Sequence, residues 1–426
     1  MKNMTRPFAF AGKAFSLLLA LFFLCPIASG HPQIGPVELF GELHGAPYKI
    51  GVPANWNGTL VVFVHGYRDK ADHHGEVDDR SVPSDPLLEA ALLGQGYALA
   101  ASAFRDNGWA VEEGIQDTKD LTVLFRSLVA VPDRTILWGV SMGTVISFKS
   151  LERFGGIYDG AVCMCAIGAG TSRFQDSAVA GALAYDLLFG IPASWGTVGE
   201  VRNDIDFETE VVPKLFLEVS NPINFGKFEF IRLVAGIPGQ GIIPPPTFYP
   251  NWVFAHFSNF ESRAELQRRA GGPFVQNLDQ TYSLTIAEKA YLAGLGVNAD
   301  ALLLHMNARR NIVAPPAPRN YVQHNADYSG KIKHPVLTVH TIIDEIVQVS
   351  NESAYADTIA TAGRQDLLFQ TYTNGVGHCH FTGPQFVLSI IAIDNWVRTG
   401  VRPTAASFPA ALGFVPGFVP PPFPQP

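Results

Sequence analysis

Gly139-Val140-Ser141-Met142-Gly143 carries the sharpest chemical signal in the chain. It follows an apolar strand-like stretch, Thr135–Trp138, and runs into a helix pattern over Val145–Phe154. A sharp strand-to-helix turn lifts one side chain clear of the sheet. Glycines two residues to either side are needed because a Cβ there would clash across the turn. The helix start below offers N–H groups and a positive dipole end to a developing oxyanion. The bare pattern is weak, and the strand before it and helix after it give it weight.

A serine hydroxyl needs a general base, and the base needs a group to orient it. In this arrangement the chain order is serine, acid, histidine. Gly375-Val376-Gly377-His378-Cys379-His380 follows the strand-like Leu367–Thr373, where the base belongs. His378 is the expected base and His380 its rival. Asp344 closes the strand-like His334–Ile343 and is the expected acid, with neighbouring Glu345 pointing away. His65-Gly66-Tyr67 ends the apolar run Thr59–Val64. A glycine there lets backbone approach a substrate. The N–H groups of Tyr67 and Met142 then form the oxyanion pair, and the His65 imidazole braces the loop beside the substrate.

These residues need a scaffold, and the chain supplies its pattern. Thr59–Val64 is continuously apolar, as suits a strand buried on both faces of a parallel sheet. Val37–Leu43, Tyr48–Val52, Tyr97–Ala101 and Ala161–Ile167 also read as strands. Helical spacing appears in the segment opened by Asp85-Pro86 and at Leu121, Leu124, Phe125 and Leu128. Strands alternating with helices predict a doubly wound α/β sheet. From Thr171 to Gly330 strand signals fade and helices dominate, and then the alternation resumes.

Composition sets outer bounds. The 426 residues are 47% hydrophobic and 16% charged, enough for a large core. A formal charge of −8 leaves no nucleic-acid footprint. No C-x-x-C occurs, and the reading calls for no metal and no organic cofactor. Lys2, Arg6 and Lys13 precede an apolar run, Ala14–Leu24, and then Ala28-Ser29-Gly30. That is the layout of a secretory signal peptide, and the run is too short for a membrane-spanning helix of about 20 residues. The mature protein is thus expected to start near His31, to be secreted (extracellular or periplasmic), and to carry no stable membrane anchor.

His65-Gly66, the Gly139–Gly143 turn, Asp344 and Gly377-His378-Cys379, in that order, resemble the α/β-hydrolase superfamily. They are similar to secreted esterase-like members with a G-H-C-x-F histidine loop and a large cap. The resemblance implies a mostly parallel eight-stranded sheet with a mainly helical cap after strand six. It implies acyl transfer through a seryl ester, with Ser141 as nucleophile, Asp344 as orienter, His378 as base, and the Tyr67 and Met142 amides as oxyanion donors. The expected organisation is a signal peptide over 1–30, core over 31–170, cap over 171–330, core over 331–403, and a Pro-rich tail over 404–426. The expected function is hydrolysis of carboxylic esters, small-molecule or polymeric. A peptidase or amidase of the same fold and a catalytically silent binding protein are the alternatives.

Other residues carry weaker signals. Cys163, Cys165 and Cys379 lie beyond the leader, and period two places Cys163 and Cys165 on one strand face. A Cys165–Cys379 bridge would hold the histidine loop; Cys163–Cys379 or unbridged thiols are the alternatives. The acidic, His-containing stretch Asp72–Asp79 reads as a solvated loop at the cleft rim. Phe248–Phe260, with Trp252, either lines a pocket or packs the cap core, and Trp109 is a second pocket-wall candidate.

Overall fold

The computed structural model describes residues 36–68, 85–239 and 249–424. The signal-like segment, the Asp72–Asp79 stretch and Phe248 lie outside them. The first strands are β1 (Val37–Leu43), β2 (Ala46–Val52) and β3 (Thr59–Val64). Next come α1 (Pro86–Gly94), β4 (Ala98–Ser102), α2 (Val111–Leu128), β5 (Arg134–Val140), α3 (Met142–Arg153) and β6 (Gly160–Met164). A helical stretch then holds α4 (Thr171–Phe189), α5 (Val212–Val219), α6 (Phe225–Val234) and α7 (Tyr249–Phe254). It continues with α8 (Glu261–Ala270), α9 (Ile286–Gly294), α10 (Ala299–Ala308) and α11 (Pro316–Ala326). The chain returns to the sheet with β7 (Val336–Ile343), α12 (Asn351–Thr361), β8 (Leu368–Val376) and α13 (Gly383–Thr399).

These eight strands form one sheet in the order β1-β2-β4-β3-β5-β6-β7-β8. The β1–β2 and β2–β4 pairs are antiparallel, and every pair from β4 to β8 is parallel. The central strands are apolar on both sides because both sides are covered. Leu60, Val62, Val64 and Leu137 face the side packed by α2 and α3. Val61, Phe63, Ile136 and Trp138 face the side packed by α1 and α13. Asp85 starts α1 by accepting hydrogen bonds from the Leu87 and Leu88 amides, as its side chain and the following proline predict.

One expectation changes. Cys163 and Cys165 do not share a face: Cys163 packs with the α2–α3 side and Cys165 with the α1–α13 side. Strand β6 ends at Met164 and Cys165 takes a φ of 49°, which breaks the two-residue period. The Pro-rich tail is irregular yet docked. Phe414 bridges to Thr373 on the β8 edge, Phe408 stacks on Phe369, and Phe423 is buried under Arg173. An exposed strand edge is thereby covered. Among the described residues no helix is long and apolar enough to cross a membrane.

Candidate active site

Helix α3 begins at Met142, directly after Ser141, three residues earlier than apolar spacing alone suggests. Ser141 has φ 54° and ψ −126°, a left-handed conformation that turns its hydroxyl away from the sheet. The turn tolerates no side chain at its flanking glycines. A Cβ on Gly139 would lie 2.7 Å from the Gly143 carbonyl oxygen, and one on Gly143 would lie 2.1 Å from that of Val64. Gly66 closes the other side: a Cβ there would sit 3.1 Å from Ser141 Cβ and 3.7 Å from its Oγ. Met142, as the first helical residue, has one of the amides that a helix start leaves without an internal acceptor.

The structure brings together the three side chains named from sequence order. Ser141 Oγ lies 2.7 Å from His378 Nε2. His378 Nδ1 lies 2.8 Å from Asp344 Oδ2 and 3.0 Å from Oδ1. Asp344 is fully buried, and its Oδ1 accepts from the amides of Ile346 and Val347 at 3.0 and 2.8 Å. Burial works against its charge, but His378 and then His340 outweigh burial and hold its carboxyl well below the usual range. His380 is exposed, whereas His378 faces Ser141.

Three features pin the histidine loop. The Gly377 amide donates to the Ile343 carbonyl at 2.8 Å, and the Thr341 hydroxyl donates to the Gly377 carbonyl at 3.1 Å. Cys379 is joined to Cys165 across a sequence separation of 214 residues, with Cα atoms 5.2 Å apart. The bridge anchors the base's neighbour to the end of β6, one strand from Ser141's own β5. Cys165, His378 and Cys379 group closely enough to suggest a metal site, but two of the three are spent in the bridge. Cys163 is a buried free thiol.

The residues proposed to touch substrate separate. His65 is buried, stacks on Phe104 at 4.0 Å and donates from Nδ1 to the Gly66 carbonyl at 2.7 Å. Burial, then the Arg68 charge, pushes its pKa well down, so it is a neutral brace. Tyr67 donates its hydroxyl to Glu261 at the start of α8 and packs edge-on against Phe257. Trp109 is buried beside Tyr67, with ring centroids 6.3 Å apart. Trp252, for which lining a pocket and packing were both open, packs inside the helical segment between β6 and β7: it is 2% exposed and stacks on Phe228 with ring centroids 5.5 Å apart.

Sequence reasoning missed two groups. Glu345, expected only to point away, is buried beside Asp344. It is 6% exposed, and burial, then the Asp344 charge, pushes its carboxyl up to about 7. The folded state therefore holds a proton that the unfolded chain releases above about pH 4.5. That contribution is full below this pH and is lost as pH rises through 7. Glu345→Gln is expected to stabilise the protein by about 3 kcal/mol more at pH 8 than at pH 5. Urea midpoints at the two pH values measure the difference, and an equal gain at both would refute it. The second group is His340 with Glu352. A histidine and a glutamate inside apolar patterns were the available signal, and both are fully buried.

No family model matches the sequence. The chain is 21% identical to an o-phthalyl amidase of Xanthobacter agilis over 443 residues, covering 88% of this chain and 90% of that protein. Among solved structures it is similar to an esterase from Aspergillus oryzae (12% identity, TM-score 0.41, 86% of this chain and 80% of that one). Feruloyl esterase B from Aspergillus oryzae gives 16% identity and a TM-score of 0.39, over 86% and 80% of the two chains. An epoxide hydrolase from Vigna radiata gives 13% and 0.38, over 85% and 98%. The strand order and the strand–turn–helix at Ser141 are those of the α/β-hydrolase fold.

Proposed function

We propose that the protein is an exported serine hydrolase that cleaves carboxylic esters through an acyl-enzyme. The observation that carries this reading is the unbroken contact from Ser141 Oγ to His378 Nε2 and from His378 Nδ1 to Asp344. His378 takes the hydroxyl proton as Ser141 attacks the carbonyl carbon. The tetrahedral oxyanion is held by the N–H groups of Met142 and Tyr67. His378 then protonates the leaving alcohol, the C–O bond breaks, and the acyl group stays on Ser141. Water, deprotonated by His378, releases the acid and restores the serine. Asp344 fixes the imidazole tautomer and balances its positive form. The helical segment between β6 and β7 covers the site as a cap and selects the acyl group. Export is supported by the signal-like N-terminus and by the Cys165–Cys379 bridge, which needs an oxidising compartment.

Amide hydrolysis is the second reading, favoured by the amidase relative that aligns with most of the chain. The same residues serve it, with His378 protonating an amine. A site able to expel an amine also expels the better-leaving alcohol of the same acyl group, so paired substrates decide. The protein is to be assayed on p-nitrophenyl esters and p-nitroanilides of matched acids, half-phthalates included, and labelled with a fluorophosphonate. Ester turnover with labelling at Ser141 is the expected result. Anilide kcat/KM within tenfold of the matching ester would shift the assignment to an amidase. No turnover and no labelling would overturn both.

A further inference from the structure

The contact chain does not stop at Asp344. On the far side of that carboxylate lies His340, four residues earlier on β7, and beyond it Glu352 on α12. His340, Asp344 and Glu352 are all 0% exposed. His340 Nδ1 is 3.0 Å from Glu352 Oε1. Its Nε2 is 2.9 Å from the Val347 carbonyl oxygen and 3.5 Å from Asp344 Oδ2. Every atom facing the two ring nitrogens is an acceptor. A neutral imidazole would set one bare lone pair against an oxygen in the interior, so the arrangement calls for protons on both nitrogens. Glu352 is in turn fixed by donors: the Thr338 hydroxyl and the Gln370 amide both bond its Oε2. Thr338 and His340 are on one face of β7 by the two-residue period, and Gln370 pairs with Thr338 from β8.

We infer that His340 is a positioning residue, held as an imidazolium between Glu352 and Asp344, which keeps Asp344 ionised and divides its charge between two histidines. The inference deepens the proposed function and rests on it for the role of His378. Burial opposes the His340 charge, and the hydrogen bonds and charges of Asp344 and Glu352 overcome it, raising the group to about 10. Among the described residues around His340, Glu345 has a carboxyl shifted into the neutral range. Cys163 on β6, Tyr372 on β8 and Tyr355 on α12 are all pushed upward by burial first and stay uncharged. Glu345 is coupled to Asp344 and His378 and titrates near 7, so it must be removed from the comparison.

Two bodies of measurement separate this inference from the proposed function. The first needs no activity: nitrogen-15 spectra of the histidine-labelled wild type. They are expected to show both His340 ring nitrogens protonated at pH 8. A single ring proton there overturns the inference. The second is the pH profile of kcat/KM for His340→Gln, Glu352→Gln and the double variant, each in the wild-type and Glu345→Gln backgrounds. The double variant removes a charge from each side and so avoids stranding a buried carboxylate. Without the second imidazolium, Asp344 acts on His378 alone and favours its protonated, inactive form. The acidic limb is therefore expected to move up by about one pH unit in all three, with the plateau falling less than tenfold. A lost hydrogen bond of purely structural effect would lower the plateau and leave the limb where it was. An unmoved limb in folded variants overturns the inference. Failure of wild type to be labelled at Ser141 overturns the proposed function alone, and the ring-proton count still judges His340.

Discussion

Ser141→Ala is expected to lower kcat/KM on the best ester by about 10⁵-fold or more while leaving the fold intact. The serine hydroxyl hydrogen-bonds His378, and truncation removes a single oxygen, so it opens little space and leaves the turn glycines in place. Chemistry is a different matter, because the attacking atom itself is gone. Residual turnover would come from the oxyanion donors and the bound geometry. Asp344→Asn is expected to cost about 10⁴-fold, since an amide at that position no longer selects the imidazole tautomer that accepts the serine proton. The two losses do not add, because each disables the same unit. Steady-state kinetics with circular dichroism on each variant decide the matter. A folded Ser141→Ala protein retaining a tenth of wild-type turnover would remove Ser141 from the mechanism.

The two glycines around Ser141 are expected to fail in opposite ways. In Gly143→Ala the new methyl would lie 2.1 Å from the Val64 carbonyl oxygen and 2.6 Å from that of His65. Both are backbone atoms at the end of β3, so relief requires α3 to move off the sheet. A stability loss of about 4 kcal/mol or more, or failure to fold, is expected in urea titration. In Gly66→Ala the methyl meets Ser141 Cβ at 3.1 Å and Val140 O at 3.3 Å. A shift of a few tenths of an ångström accommodates it, at about 1 kcal/mol of stability. It sits beside the hydroxyl, however, where a carbonyl must approach, so kcat/KM is expected to fall about 10²-fold. Equal loss of stability in both variants, or full activity in Gly66→Ala, would contradict this placement of the loop.

The contrast between the triad and the His340–Glu352 pair shows what a chain can reveal. Ser141 is marked by its own neighbours: two glycines, a strand before and a helix after, all within a dozen residues. His378 and Asp344 are marked by position relative to strands. His340 has no local mark beyond being a histidine in an apolar strand, and Glu352 reads as an ordinary acid in the first turn of a helix. Trp252 shows the same limit: its role was left open, since an aromatic cluster looks the same whether it faces a substrate or Phe228.

Spacing and residue type along the polymer were therefore enough to define the sheet class, the turn at Ser141, the order of its partners and the candidacy of Cys165 and Cys379. Folding alone settled which histidine faces the hydroxyl, on which side of the sheet each cysteine lies, how the tail covers β8, and which carboxylates lose their water. The division has a physical cause. Hydrophobic period and turn chemistry act between neighbours and are written locally. Burial, ionisation and contact across 214 residues depend on how separate elements pack, and many sequences of the same local pattern would pack them differently.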